Sequence, residues 1–195
     1  RGTWLRQDCQ CVRKEQEGRR AAVQPFLSPH WADPLPPALR KCCFESFKVG
    51  PYNEEGYQVC RKFADKFPSI QAGEDLFLYG SSGVGKTHLA AAVINQLKDN
   101  HWTAFAHVPA LLDQLRRQVA TIDTYTGAAL LVLDDLGSER VTDWALEQLL
   151  IILDNRLNNG RSTIITANYD TSQWEALDRI VGMRLASRIQ GQHMP

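Results

Sequence analysis

The run Gly80-Ser81-Ser82-Gly83-Val84-Gly85-Lys86-Thr87 satisfies the pattern G-x-x-x-x-G-K-[ST] and constrains this chain more than any other feature. It follows an apolar run and opens a helical pattern, so it reads as the turn that leaves a strand and enters a helix. Glycines there let the backbone wrap closely around phosphate oxygens. The N–H groups at the helix N-terminus supply donors and a favourable dipole. Lys86 is then placed to neutralise β and γ phosphates, and Thr87 to offer its hydroxyl to Mg²⁺, which takes oxygen ligands shared among protein, phosphate and water. The contact set is expected to extend to His88, and the ligand it predicts is ATP or ADP with Mg²⁺.

A turn of this kind belongs to a parallel α/β sheet. From Asp75 onward, short apolar runs alternate with helical segments, the signature of βαβ units with both sheet faces covered. Strands are expected at Leu76–Tyr79, Thr103–Val108, Leu130–Leu133 and Thr163–Thr166. Helices are expected at Lys86–Lys98, Pro109–Val119, Asp143–Leu157, Thr171–Leu177 and Met183–Gln190. Ahead of them, residues 54–67 read as an amphipathic helix ending before Pro68. Residues 1–41 read as an N-terminal arm or linker, because Pro25, Pro29, Pro34, Pro36 and Pro37 repeatedly remove the backbone N–H. The core is then 42–195.

The chain's 195 residues allow one α/β domain plus a modest appendage. No apolar run approaches the roughly 20 residues needed to span a bilayer, so no membrane role is expected. The chain opens on Arg1 without a signal-peptide pattern and reads as a piece of a longer cytoplasmic protein. Residues 1–48 carry nine Lys/Arg against five Asp/Glu, and residues 49–195 carry thirteen against seventeen. Neither part has the basic excess of a dedicated duplex-DNA reader, so any nucleic-acid contact must be local or built by oligomerisation. All five cysteines precede the glycine-rich turn, and the odd number argues against a closed disulfide framework. Cys9 and Cys11 read as ordinary free thiols, or else as two of the four ligands a tetrahedral zinc needs.

The second chemical element is Leu130-Leu131-Val132-Leu133-Asp134-Asp135, a buried strand delivering two carboxylates at its C-terminal end, where ligands bind in such sheets. Asp134 is expected to hold Mg²⁺ through water, and Asp135 to orient the water that attacks the γ-phosphate. A third run, Thr163–Ala167, ends at Asn168. Taken alone, an Asn after a strand is a turn residue; beside the carboxylate strand it would reach the γ-phosphate. Arg179, Arg184 and Arg188 follow, the last two sharing one helical face. Alone they read as surface or salt-bridge residues. A metabolic kinase would need an acceptor pocket and a set of lid arginines, and the sequence displays neither.

Taken in order, residues 80–90 (Gly-Ser-Ser-Gly-Val-Gly-Lys-Thr-His-Leu-Ala), 130–137 (Leu-Leu-Val-Leu-Asp-Asp-Leu-Gly), 164–168 (Ile-Ile-Thr-Ala-Asn) and 184–189 (Arg-Leu-Ala-Ser-Arg-Ile) resemble the AAA+ helicase-loader family of the DnaC/DnaI type. The IstB transposition helpers are its close relatives. Phe44-Glu-Ser-Phe47 resembles that family's lead-in, so the likeness covers roughly residues 42–190. The resemblance implies that Asn168 senses the γ-phosphate and that Arg184, with Arg188 as second choice, is a finger acting on a neighbouring subunit. It also implies that the Cys9-x-Cys11 arm ends a zinc module of the full-length parent. The implied partners are a hexameric replicative helicase, single-stranded DNA and further copies of the chain when ATP is bound; the runner-up is a transposition helper acting on duplex DNA. Three departures stand out. Asp135 replaces the usual Glu, implying slow hydrolysis. The 120–127 stretch is short where loaders carry a segment implicated in single-stranded DNA contact. The chain is also expected to stop before its last strand.

Overall fold

The computed structural model describes residues 34–67, 73–137, 142–168 and 189–194. The chain divides after Ala32, and all the described residues belong to the second unit, Asp33–Pro195. Two 3₁₀ turns, Pro37–Leu39 and Phe44–Ser46, lead into α1 (Glu54–Lys66). Then come β1 (Asp75–Gly80), α2 (Lys86–Leu97), β2 (Thr103–His107), α3 (Val108–Arg116), α4 (Ile122–Gly127), β3 (Leu130–Leu136), α5 (Asp143–Asn158), β4 (Ser162–Asn168) and β5 (Ile189–Met194). The strands form one parallel sheet in the order β2-β3-β4-β1-β5.

Strand side chains alternate between two apolar layers, as the period of two requires. Leu76 and Leu78 of β1, Leu130 and Val132 of β3, and Ile164 of β4 pack on the layer built by α1 and α2. Phe77, Leu131, Leu133, Ile165 and Ala167 face the opposite layer, with α3 and α5. This double coverage is why the strands read as continuous apolar runs. Helix α2 is apolar nearly all round, and its residues from Leu89 to Ile94 and Leu97 are buried, as expected of a helix lying between a sheet and another layer. Helix α1 has acidic residues in its first turn and Lys66 in its last, matching the helix dipole, and buries Cys60, Phe63 and Ala64 along one face. Thr142 caps α5, its Oγ1 accepting from Ala145 N at 3.2 Å.

Several expectations are corrected. A fifth strand not read from the sequence joins the sheet: β5 lies along β1 from Asp75↔Ile189 to Gly80↔Met194. Ile189 and Gln190, expected at the end of a helix, therefore belong to a strand; residues 183–188 and the expected helix at 171–177 lie outside the described residues. The arm expected over 1–41 gives way to the core by Leu35, which is 2% exposed in the α1–α2 layer. Asn95 Nδ2 donates to Leu39 O at 3.3 Å and Cys42 O at 2.7 Å, anchoring the proline-rich turn to α2. The prolines are tolerated because their fixed φ suits the first position of a 3₁₀ turn. Helix α3 starts one residue before Pro109 and stops at Arg116, with Gln118 at φ 58, and α4 occupies most of the stretch beyond.

Arg156 of α5 is fully buried and ties the bottom of the sheet together. Its guanidinium donates to Thr163 Oγ1 (3.1 Å), Tyr125 O (2.7 Å), Ala128 O (2.8 Å) and Ser162 O. Burial pulls its pKa down to about 9, against the pull of Asp75 in the other direction. The carbonyls it serves are acceptors only, so the charged form is the one they hold. Asp75 in turn accepts from Thr163 N at 2.6 Å.

Candidate functional site

All five strands point their C-terminal ends to one edge, and β3, β4 and β1 are neighbours. That topology brings together residues far apart in sequence, at the edge where parallel sheets bind ligands. The result is a cleft of about 310 Å³. Ser82, Gly83, Gly85, Lys86, Thr87 and His88 line one side; His107, Asp134, Asp135, Thr166 and Asn168 line the other.

The glycine-rich turn adopts backbone angles closed to most residues. Gly83 has φ +84 and Gly85 φ +103, and a Cβ on Gly85 would come within 2.5 Å of the Phe47 ring. Gly85 is also the N-cap of α2 and offers no side chain to the helix, leaving the first N–H groups without a side-chain cap. Lys86 is only 6% exposed. Its Nζ donates to Gly80 O at 2.9 Å and Ser81 O at 2.7 Å. Burial lowers its pKa, while the Asp135 and Asp134 carboxylates oppose that shift. Gly80 and Ser81 thus face the lysine through their carbonyls rather than lining the cleft, and Val84 packs its side chain towards the α1–α2 layer.

Asp134 and Asp135 are adjacent, and in a regular strand they would face opposite sides. The register of β3 against β4 shifts between Leu133 and Leu136, and Asp135 lies at φ 62, in the left-handed region. A bulge of this kind re-aims side chains beside functional sites, and Asp tolerates the left-handed region better than most residues. Both carboxylates therefore reach the cleft. Asp134 Oδ1 accepts from Thr87 Oγ1 at 2.8 Å and from Thr166 Oγ1 at 2.7 Å. Asp135 N donates to Thr166 Oγ1 at 2.9 Å, and Asp135 Oδ1 accepts from Asn168 Nδ2 at 2.7 Å. His107 Nε2 stands 3.7 Å from Asp135 Oδ2.

Of the residues singled out from sequence, Lys86, Thr87, Asp134, Asp135 and Asn168 meet in this cleft, and Asn168 bonds to a carboxylate on the neighbouring strand. His88 lines the cleft too, but its Nε2 contacts Cys43 O at 3.1 Å. Thr166 and His107 were not anticipated. Thr166 is a hydroxyl interrupting an apolar strand two residues before its end, and that is a usable signal; His107 owes its place to the register that pairs it with Asp134. Arg184, Arg188, Cys9 and Cys11 lie outside the described residues.

The donor set suits Mg²⁺ arriving with a polyphosphate: Thr87 and Asp134 offer hard oxygen ligands joined at 2.8 Å. Among the described residues no group of three His, Cys, Asp or Glu could hold a metal unaided, so phosphate oxygens and water would complete its shell. Among them also, no helix is long and apolar enough to cross a membrane.

Comparison with known proteins gives matches over most of this region. The model of the IstB-like ATP binding protein family matches residues 60–189. The replicative helicase loader DnaI of Bacillus subtilis (strain 168) is 25% identical over 125 residues, covering 60% of this chain and 40% of that protein. The uncharacterized protein YqaM of the same organism is 25% identical over 193 residues, 91% of this chain and 59% of its own length. The chain thus spans about half the length of these relatives. The crystal structure of the DnaC helicase loader aligns with a TM-score of 0.70 at 25% identity, covering 82% of this chain and 100% of that one.

Proposed function

The chain belongs to the IstB-like ATP-binding protein family and has the AAA+ P-loop fold of the DnaC loader, and from that premise we propose that it is an ATPase that helps load a replicative DNA helicase. One observation carries the ATPase reading: Lys86, the Thr87–Asp134 pair and the Asn168–Asp135 pair converge on one cleft from three neighbouring strand ends.

In this reading the N–H groups at the start of α2 hold the β and γ phosphates, and Lys86 exchanges its carbonyl partners for phosphate oxygens. Mg²⁺ held by Thr87 and Asp134 would offset the charge that develops during transfer. Asp135 polarises the attacking water, and Asn168 holds the carboxylate by its Oδ1 and reads the γ-phosphate. Thr166 fixes both acids at once, through the Asp135 N–H and the Asp134 carboxylate. Arg184, supplied by a neighbouring copy, stabilises negative charge in the transition state, which makes hydrolysis depend on an ATP-bound homo-oligomer.

The loader reading draws on the match to DnaC over the whole of that chain, and its partners are a hexameric helicase and single-stranded DNA. The second reading, a transposition helper acting on duplex DNA, is favoured by the family description itself. Retention of the host's hexameric helicase on the immobilised full-length protein separates the two. Retention is expected with ATP; retention of duplex DNA and no helicase would replace the first reading by the second.

A further inference from the structure

The glycine-rich turn is gripped from outside by the segment preceding α1. The Phe47 ring fills the space beside Gly85, stacks on Tyr57 at 5.8 Å and meets the His88 ring edge-on at 5.2 Å. His88 Nε2 also lies 3.3 Å from Ser46 Oγ, besides its contact with Cys43 O. A carbonyl only accepts, so this nitrogen carries the proton and donates.

Asn53 makes the contact with the clearest consequence. Its Oδ1 accepts from Gly50 N at 2.8 Å, and its Nδ2 donates at 3.3 Å to both Lys48 O and Val84 O. Asn53 stands at the N-cap of α1, yet its side chain makes no capping bond to that helix. The amide is committed to the loop and to the turn instead. Val84 C=O and Gly85 N–H belong to one peptide, and in a trans peptide the two point in opposite directions. No cis peptide occurs among the described residues. Holding Val84 O on the Asn53 side therefore aims the Gly85 N–H away from it, and Gly85 lines the cleft while Asn53 does not. One of the two torsions that set this peptide's tilt is φ of Gly85, at +103, and it belongs to a residue without a side chain that would otherwise let the peptide rotate.

We propose that Asn53 is a positioning residue for the nucleotide: its amide locks the 84–85 peptide so that Gly85 N–H is presented to a phosphate oxygen. The inference rests on the phosphate-binding reading of the cleft. It adds a residue outside the glycine-rich pattern whose effect on binding passes through the backbone.

The test is Asn53→Ser in the full-length protein, a neutral change that keeps a good N-cap residue but cannot reach Val84 O. ATP affinity should fall about 3- to 10-fold, the factor for one hydrogen bond, with the melting temperature near parental. KM should rise by the same factor with kcat unchanged, because the lost contact serves ground and transition states alike. A parental Kd in the folded variant overturns the proposal. If Asn53→Ser melts well below the parent, Asn53→Asp keeps the acceptor for Gly50 N while removing the donor to Val84 O, and a parental Kd there overturns it equally. Titration of the parent beside Lys86→Ala tests the underlying reading separately: a parent that binds no ATP fails that reading, and this proposal falls with it.

Discussion

Asp135 is held at three points, its amide on Thr166, its Oδ1 on Asn168 and its Oδ2 3.7 Å from His107, in a backbone conformation that costs energy. Strain kept at a strand end by several partners suits a group that must be aimed rather than merely present. Asp135→Asn keeps the size and the acceptor oxygen for Asn168 but removes the charge proposed to polarise water. It should bind ATP like the parent and turn it over about 10²- to 10⁴-fold more slowly, the range for a lost general base. Steady-state phosphate release beside an ATP titration reads both; a parental rate would remove Asp135 from the chemistry. At this scale the sequence was legible where chemistry dictates spacing: Gly-x-Gly-Lys-Thr and the paired acids admit few other uses. His107 was not legible as a site residue, because its place depends on how β2 aligns with β3, and no local pattern encodes that; for Thr166 the hydroxyl in an apolar strand was the one local sign. His88 was legible as a neighbour of the nucleotide turn, but its contacts with Cys43, Ser46 and Phe47 depend on a segment more than 40 residues away.

Among the elements, the sheet is stitched at both ends by different means. The C-terminal edge is held by Thr87, Asp134, Thr166 and Asn168 around the cleft, the N-terminal edge by Arg156 reaching from α5 to the starts of β3 and β4. Arg156→Ala leaves the carbonyls of Tyr125, Ala128 and Ser162 without their donor and Asp75 without its nearby cation. The expected loss is about 3–5 kcal/mol, as for stripping several buried acceptors of their donor at about 1–3 kcal/mol each with partial relaxation. Urea unfolding should show it as a lower midpoint, and a loss below about 1 kcal/mol, the size of an exposed pair, would mean that the guanidinium is replaced by water at little cost. The helix carrying Arg156 was legible as an apolar stripe, but the charge in its midst was not, since its partners lie on three other segments. Strands β1, β3 and β4 were legible as apolar runs. Strand β5 was not: Ile-Gln-Gly-Gln-His-Met is largely polar, and its pairing with β1 is a backbone matter. The proline-rich turn was missed for a related reason, as its order comes from Asn95 on α2.

For the whole molecule, the proposed function couples the cleft of one copy to Arg184 of another. Mixing Arg184→Ala with Lys86→Ala subunits of the full-length protein tests that step, since each variant alone should be inactive. A co-assembled mixture should recover part of the turnover, because an intact turn on one variant meets an intact finger on the other. A mixture as inactive as its components would show that Arg184 does not act across an interface. Beneath this lies the central claim that the cleft between α2 and the β3–β4 strand ends binds ATP through Lys86. Labelled-ATP titration of the parent and of Lys86→Ala, with Mg²⁺ present and folding confirmed, measures it directly. The account predicts tight binding by the parent and a loss of about 10- to 100-fold in the variant, the factor for a hydrogen-bonded charge. Equal affinity in a folded Lys86→Ala would contradict it.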